Sequence, residues 1–160
     1  MVFVDAANVI YSCRNLGWHI KYENLQKFFK NKCRLIDIYF YYAKREENDH
    51  DSKLLGKLVE LGFVVKARKI KIFKGQEGAV HAKGNVDGEL IVDMIKLKDQ
   101  YETTFLLSGD SDFRYAVEFL RSFGKKVYVV STKYHIAKEL IDASNGYLNL
   151  RDFKEEWAFK

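Results

Sequence analysis

Four aspartates, Asp5, Asp87, Asp110 and Asp112, stand in three separated segments of this 160-residue chain and carry its most specific chemical signal. Asp5 closes the apolar run Met1-Val2-Phe3-Val4, and Asp110 and Asp112 follow a second apolar run in Ser108-Gly109-Asp110-Ser111-Asp112-Phe113. Asp87 falls in line with Leu90, Ile91 and Met94 at spacings of three, four and seven, so a helix there carries its carboxylate on the buried stripe. A charge in that place is costly without a metal, a cation or several hydrogen bonds. At a helix start it points past the sheet edge rather than into the core. Carboxylates gathered in this way form an all-oxygen site that suits Mg2+ or Mn2+ rather than zinc. Such ions polarise a phosphate, generate hydroxide and stabilise a leaving oxygen, so no separate protein nucleophile is needed. Asp5, Asp87, Asp110 and Asp112 are therefore the candidate catalytic and metal-holding residues, acting on a nucleic-acid phosphate. Asn8, three residues beyond Asp5, and Ser108 are candidates to orient a water or bind a phosphate oxygen. Taken singly, each aspartate has a plainer explanation. Asp110, Ser111 or Asp112 can cap a helix, worth about 1 kcal/mol; Asp87 can do the same, and Asp5 can sit in a strand-end turn. Their joint placement favours a site. Asp93 and Glu89 fall on the outer face of the same helix.

Those residues need a scaffold that brings strand ends together, and the sequence supplies one. Apolar β-rich runs alternate with stretches of helical period, the signature of a mainly parallel sheet of five or six strands covered by helices on both faces. Strands are expected at residues 1–4, 35–43, 63–65, 103–107 and 127–130, with an edge strand at 147–150. Helices are expected at 22–29, 51–61, 86–97, 111–123 and 135–143. In such a sheet, ligands bind beyond the carboxyl ends of the strands, and Asp5 shares that edge with Asp110 and Asp112 if their strands are neighbours. Residues 66–83 are the least regular, reading as a hairpin or as a strand with a loop. Their lysines, Lys69 and Lys71 among them, can track phosphates, with Tyr11, Trp18 and Phe73 as candidate stacking surfaces; solvated lysines protecting a strand edge explain them as well. Gly75-Gln76-Glu77-Gly78 reads as a hairpin tip. Phe28, Phe113 and Phe119 are expected in the core.

Composition narrows the class. The net charge of +5 favours a polyanionic partner. The chain length fits one domain, residues 1–150, followed by a charged tail at 151–160 expected to fray. Prolines are absent, so no Pro-rich linker divides the chain. No segment approaches the roughly 18 apolar residues needed to span a bilayer, and the N-terminus shows no secretory pattern; a cytoplasmic location and no membrane partner are the expectation. Cys13 and Cys33 lack zinc spacing and read as reduced thiols. The four histidines form no HExxH pattern, though His81 lies just before Lys83 and Asp87. GxSxG, Walker A and GxGxxG motifs are all absent.

Val2-Phe3-Val4-Asp5-Ala6-Ala7-Asn8, then Lys83-Gly84-Asn85-Val86-Asp87 with Asp93, then Ser108-Gly109-Asp110-Ser111-Asp112-Phe113 together resemble the NYN domain family, the LabA-like or DUF88 group related to PIN-type ribonucleases. The likeness runs from about Val2 to Leu150. Asn85 between Gly84 and Val86, and Gly88 after the aspartate, depart from the usual pattern. The resemblance implies a Rossmann-like PIN-type three-layer α/β/α sandwich and Mg2+- or Mn2+-dependent cleavage of RNA by the acidic cluster Asp5, Asp87, Asp110 and Asp112. It also matches Asn8 and Asp93 to recurrent positions, and Lys83 joins Asn8, Ser108, Lys69 and Lys71 among the expected substrate contacts. RNA is thus the expected partner, with a homodimer left open. Two other readings stand beside the endoribonuclease: a catalytically silent RNA-binding or regulatory module of the same fold, and a phosphoryl-transfer protein. The second is disfavoured because no DxDx nucleophile motif follows the first strand.

Overall fold

A computed structural model describes residues 1–44, 49–69, 71–74, 80–83 and 86–159, the side chains of Asp49, of 71–74 and of 80–83 excepted. Along the chain run β1 (Val2–Asp5), α1 (Ala6–Asn15), α2 (Tyr22–Lys32), β2 (Ile38–Lys44), α3 (Asp49–Glu60), β3 (Val64–Lys69), β4 (Lys71–Lys74), β5 (Val80–Lys83) and α4 (Asp87–Lys96). They are followed by β6 (Thr103–Leu107), α5 (Arg114–Ser122), β7 (Lys126–Ser131), α6 (Lys138–Ala143), β8 (Gly146–Asn149) and α7 (Lys154–Trp157). Six strands make one parallel sheet in the order β3-β2-β1-β6-β7-β8, while β4 and β5 form a separate antiparallel pair. The chain winds outward in both directions from β1, so the sheet's topological switch point lies between β1 and β6. In register, Val4 pairs with Leu107, which sets Asp5 level with Ser108.

The period-2 alternation of β1 divides its side chains between two cores. Val2 and Val4 join one core with Ile38, Phe40, Leu25, Phe29 and Leu58, beneath α1, α2 and α3. Phe3 joins the other with Tyr41, Leu90, Met94, Val117 and Leu140, beneath α4, α5 and α6. Both faces of the sheet are thus covered, which is why β1 is buried along its whole length. The three layers and the parallel six-stranded sheet match the architecture the sequence implies.

Several local expectations are corrected. α1 is an addition to the expected helices; Asp5 starts it, its carboxylate accepting from the Asn8 amide at 3.2 Å. β3 continues through Lys66, Ala67, Arg68 and Lys69, exposed as the edge strand beside β2. Residues 111–123 split into a 3-10 turn, Ser111–Phe113, and α5, because Asp110 caps that turn through the Asp112 amide at 3.0 Å. The charged tail carries regular structure over residues 151–157. A 3-10 turn at Leu150–Phe153 leads into α7, and Trp157 is wholly buried, stacked on Phe153 with ring centroids 4.4 Å apart. Ala158 pairs with Ile20 to fasten the segment down. Trp18 is buried and offers no face for stacking a base, whereas Phe119 lies exposed beside Phe123 rather than in the core. Phe113 is fully buried as expected, and Phe28 packs partly buried against Trp157. The Gly75–Gly78 tip lies outside the described residues.

Candidate metal centre

The carboxyl edge of the sheet at the β1–β6 junction gathers Asp87, Asp110 and Asp112, whose ligand oxygens all lie within 4.8 Å of one another. Three different local structures hold them. Asp87 is the first residue of α4, where the helix dipole favours a carboxylate. It does not cap the helix: Val86 holds that position without a side-chain bond. Asp110 leaves β6 and turns the chain, and Asp112 projects from the 3-10 turn that Asp110 caps. Asp87 and Asp110 are half-buried, while Asp112 is exposed. An ion with bonds of 2.0–2.1 Å places opposite ligands about 4.2 Å apart. The oxygen spacing and the purely carboxylate donor set therefore fit a hard divalent ion.

Asp5 lies behind this trio and is bound differently. One of its oxygens accepts from the Asn8 amide and the other accepts from the Ser108 hydroxyl at 2.8 Å. Burial pushes its carboxyl up to about 6, the negative charges of Asp87 and Asp110 adding to the effect and the two hydrogen bonds opposing it. Two lone pairs on each oxygen leave capacity beyond those bonds, but Asp5 stands outside the group of three whose oxygens converge. Among the four predicted aspartates, the structure thus separates an outer trio from one desolvated carboxylate coupled to it.

Asn8 and Ser108 are drawn into the same network. The Asn8 side-chain oxygen accepts from the Gly109 amide at 3.1 Å, and Ser108 Oγ accepts from the Asp110 amide at 3.3 Å. Both side chains position the β6 loop. Lys69 ends β3 at the exposed edge, and Lys71 and Lys83 are register partners across the β4–β5 pair. The side chains of Lys71, Phe73, His81 and Lys83 lie outside the described residues. Asp93 accepts from the Tyr41 hydroxyl at 2.8 Å, and Glu89 pairs with Arg68 at 2.9 Å, so both serve packing between α4 and the sheet.

Two features of the edge go beyond the sequence expectations. Gly109 has no room for a side chain: a Cβ there would overlap the carbonyl oxygen of His135 and come within 2.5 Å of Ser131 Oγ. The loop after β7 is fastened to it, with the Ala137 amide donating to the Gly109 carbonyl at 2.9 Å. Asn8, Tyr11 and Asn15 also form a polar stripe on α1 at spacings of three and seven. Asn15 meets His135 Nε2 at 2.9 Å, and the Tyr11 ring lies edge-on to the imidazole with centroids 5.1 Å apart. The i, i+3, i+7 spacing is the available signal, and it is recognisable only once residues 6–15 are known to be helical.

Comparison with known proteins identifies the family of the chain. The model of the NYN domain family matches residues 1–151. The chain is 31% identical over 157 residues to the low amplitude and bright protein LabA of Synechococcus elongatus, covering 96% of this chain and 84% of that one. A crystal structure of a protein of unknown function from Vibrio parahaemolyticus superposes with a TM-score of 0.81 at 22% identity, covering 99% of this chain and 94% of that one. That likeness is one of fold.

Proposed function

Since the chain belongs to the NYN domain family, of the PIN-like nuclease superfamily, we propose that it is a metal-dependent ribonuclease that hydrolyses RNA phosphodiesters endonucleolytically at the edge formed by Asp5, Asp87, Asp110 and Asp112. The observation that carries this reading is the convergence of the oxygens of Asp87, Asp110 and Asp112 within 4.8 Å at the switch point of a parallel sheet. The trio would hold the ion. A bound Mg2+ or Mn2+ supplies positive charge for the phosphate oxygens and an acidified water. Asp5, desolvated behind the trio, adds negative charge that tightens the hold on a cation and fixes the start of α1 relative to Ser108. Asn8 and Ser108 keep the β6 loop in register with β1, so that Asp110 and Asp112 are presented together. Lys69, Lys71 and Lys83 are the proposed contacts to the RNA backbone, in a chain of net charge +5.

The alternative, an RNA-binding module without turnover, draws support from Asp5, whose two oxygens are both already engaged. Cleavage of labelled single-stranded and structured RNA in manganese, magnesium or chelator, comparing wild type with Asp110→Asn/Asp112→Asn, tests both. Metal-dependent cutting that is lost in the variant supports the nuclease. RNA retention without cutting, unaltered by metal, supports the binding module.

A further inference from the structure

On the opposite side of the sheet from α4, between α1 and α3, lies a cavity of about 570 Å3. Small-molecule sites commonly occupy about 300–1,000 Å3. Its floor is the buried Val9, Cys13 and Leu58, and its walls are the half-buried Ile10, Leu54 and Leu61. Burial pushes the Cys13 thiol up to about 12, so it stays uncharged and adds to the apolar lining. His19, Tyr22 and His50 also line it, but the aliphatic side chains predominate and give a water few hydrogen-bond partners, which favours an apolar occupant.

The mouth differs in character. Arg14, Lys53 and Lys57 border it, with Glu23 as the one carboxylate among the described lining residues. Glu23 is already engaged by Lys57 at 2.6 Å. Arg14 and Lys53 are exposed and form no ion pair among the described residues. An apolar interior beneath two cations that form no ion pair among the described residues is complementary to a molecule with a hydrocarbon body and one anionic head. A neutral apolar molecule would leave the cations unused, and a cationic one would be repelled. We propose that this cavity binds a small amphipathic anion, an aliphatic or aromatic carboxylate. The hydrocarbon lies against Val9 and Leu58, and the carboxylate lies between Arg14 and Lys53.

Octanoate, octanol and octylammonium form a matched test set, titrated into the full chain and followed by calorimetry and amide chemical shifts. Saturable one-to-one binding of octanoate is expected, with shifts centred on α1 and α3 and affinity at least tenfold above that of the other two. Arg14→Gln/Lys53→Gln should weaken octanoate roughly tenfold, since one exposed charge pair is worth up to about fivefold, and leave octanol unchanged. Both residues are on the surface, so folding is preserved. Leu54→Trp, whose indole narrows the cavity between α1 and α3, should weaken binding at least tenfold while the thermal melt stays cooperative. Absence of saturation, equal affinity for all three ligands, indifference to the double variant, or shifts confined to the Asp110 edge would each overturn the assignment. RNA cleavage enters none of these measurements, so the result stands apart from the nuclease reading.

Discussion

Replacing Asp5 by asparagine should make the metal-free protein more stable at neutral pH, although it removes a residue of the candidate site. The carboxyl of Asp5 is raised from an ordinary value of 3.8 to about 6 by burial, with Asp87 and Asp110 contributing. Between those two values the folded chain keeps a proton that the unfolded chain has lost. Stability therefore falls as pH rises through the window and remains lower above it. A shift of roughly two pH units at ~1.4 kcal/mol each amounts to about 3 kcal/mol of destabilisation at pH 7.5. Asparagine abolishes the charge while preserving an oxygen that accepts from the Asn8 amide, and it is as good a cap as aspartate. Urea unfolding in chelator should show the two proteins near parity at pH 4 and the Asp5→Asn variant ahead by about 2–3 kcal/mol at pH 7.5. In a melt of a chain this size, that corresponds to roughly 5–10 °C. Saturating manganese should narrow the gap, because a cation bound beside the carboxylate removes the penalty. A difference that stayed constant from pH 4 to 7.5, or a variant less stable at pH 7.5, would refute the claim that Asp5 is held ionised at a cost.

Asp110→Asn/Asp112→Asn should lower metal affinity and RNA cleavage by at least about a hundredfold with little change in melting temperature, since asparagine caps the 3-10 turn as well as aspartate does; isothermal titration with manganese and the cleavage assay check the two effects. Gly109→Ala should cost about 1–3 kcal/mol of overpacking, read by urea denaturation, because its methyl group would meet the His135 carbonyl. Trp157→Ala should destabilise by about 3–5 kcal/mol, measured in the same way, whereas a frayed tail would give no change. Tyr41→Phe should cost about 1–3 kcal/mol in chemical denaturation and increase amide exchange at the middle of α4, since it leaves Asp93 without its hydroxyl donor.

The sheet is legible in the sequence because its strands are continuous apolar runs. β6 has its expected bounds, and the inferred adjacency of β1 and β6 is the observed one. α1 is hidden because Val9 and Ile10 are β-branched, and Ser12, Cys13 and Asn15 are indifferent helix formers. What makes residues 6–15 a helix is the Asp5 cap and burial against β1 and β2, which is tertiary information. The C-terminal segment misleads for a related reason. Its charges dominate the composition, yet Phe153 and Trp157 at i, i+4 are a packing stripe that needs only one groove to bind it. Trp18 lies between Gly17 and His19, flanks that give no hint of burial. At the edge itself, the sequence names the carboxylates. It does not divide them into a converging trio and a desolvated fourth member, because that division depends on which oxygens Ser108 and Asn8 already occupy.

The alternation along β1 has a practical consequence for engineering the chain. Val2 and Val4 belong to the layer under α1, α2 and α3, while Phe3 belongs to the layer that carries Asp87, Asp110 and Asp112. One strand four residues long therefore acts as a partition. Sequence libraries that redesign the first layer, including the cavity beside Leu54, can be screened for thermal tolerance with the acidic edge left intact as long as Asn8, which reaches from α1 to the Gly109 amide, is kept. Libraries on the second layer alter chemistry and packing together. The molecule thus divides into a layer that can be redesigned around Asn8 and a layer whose packing is bound up with the acidic edge.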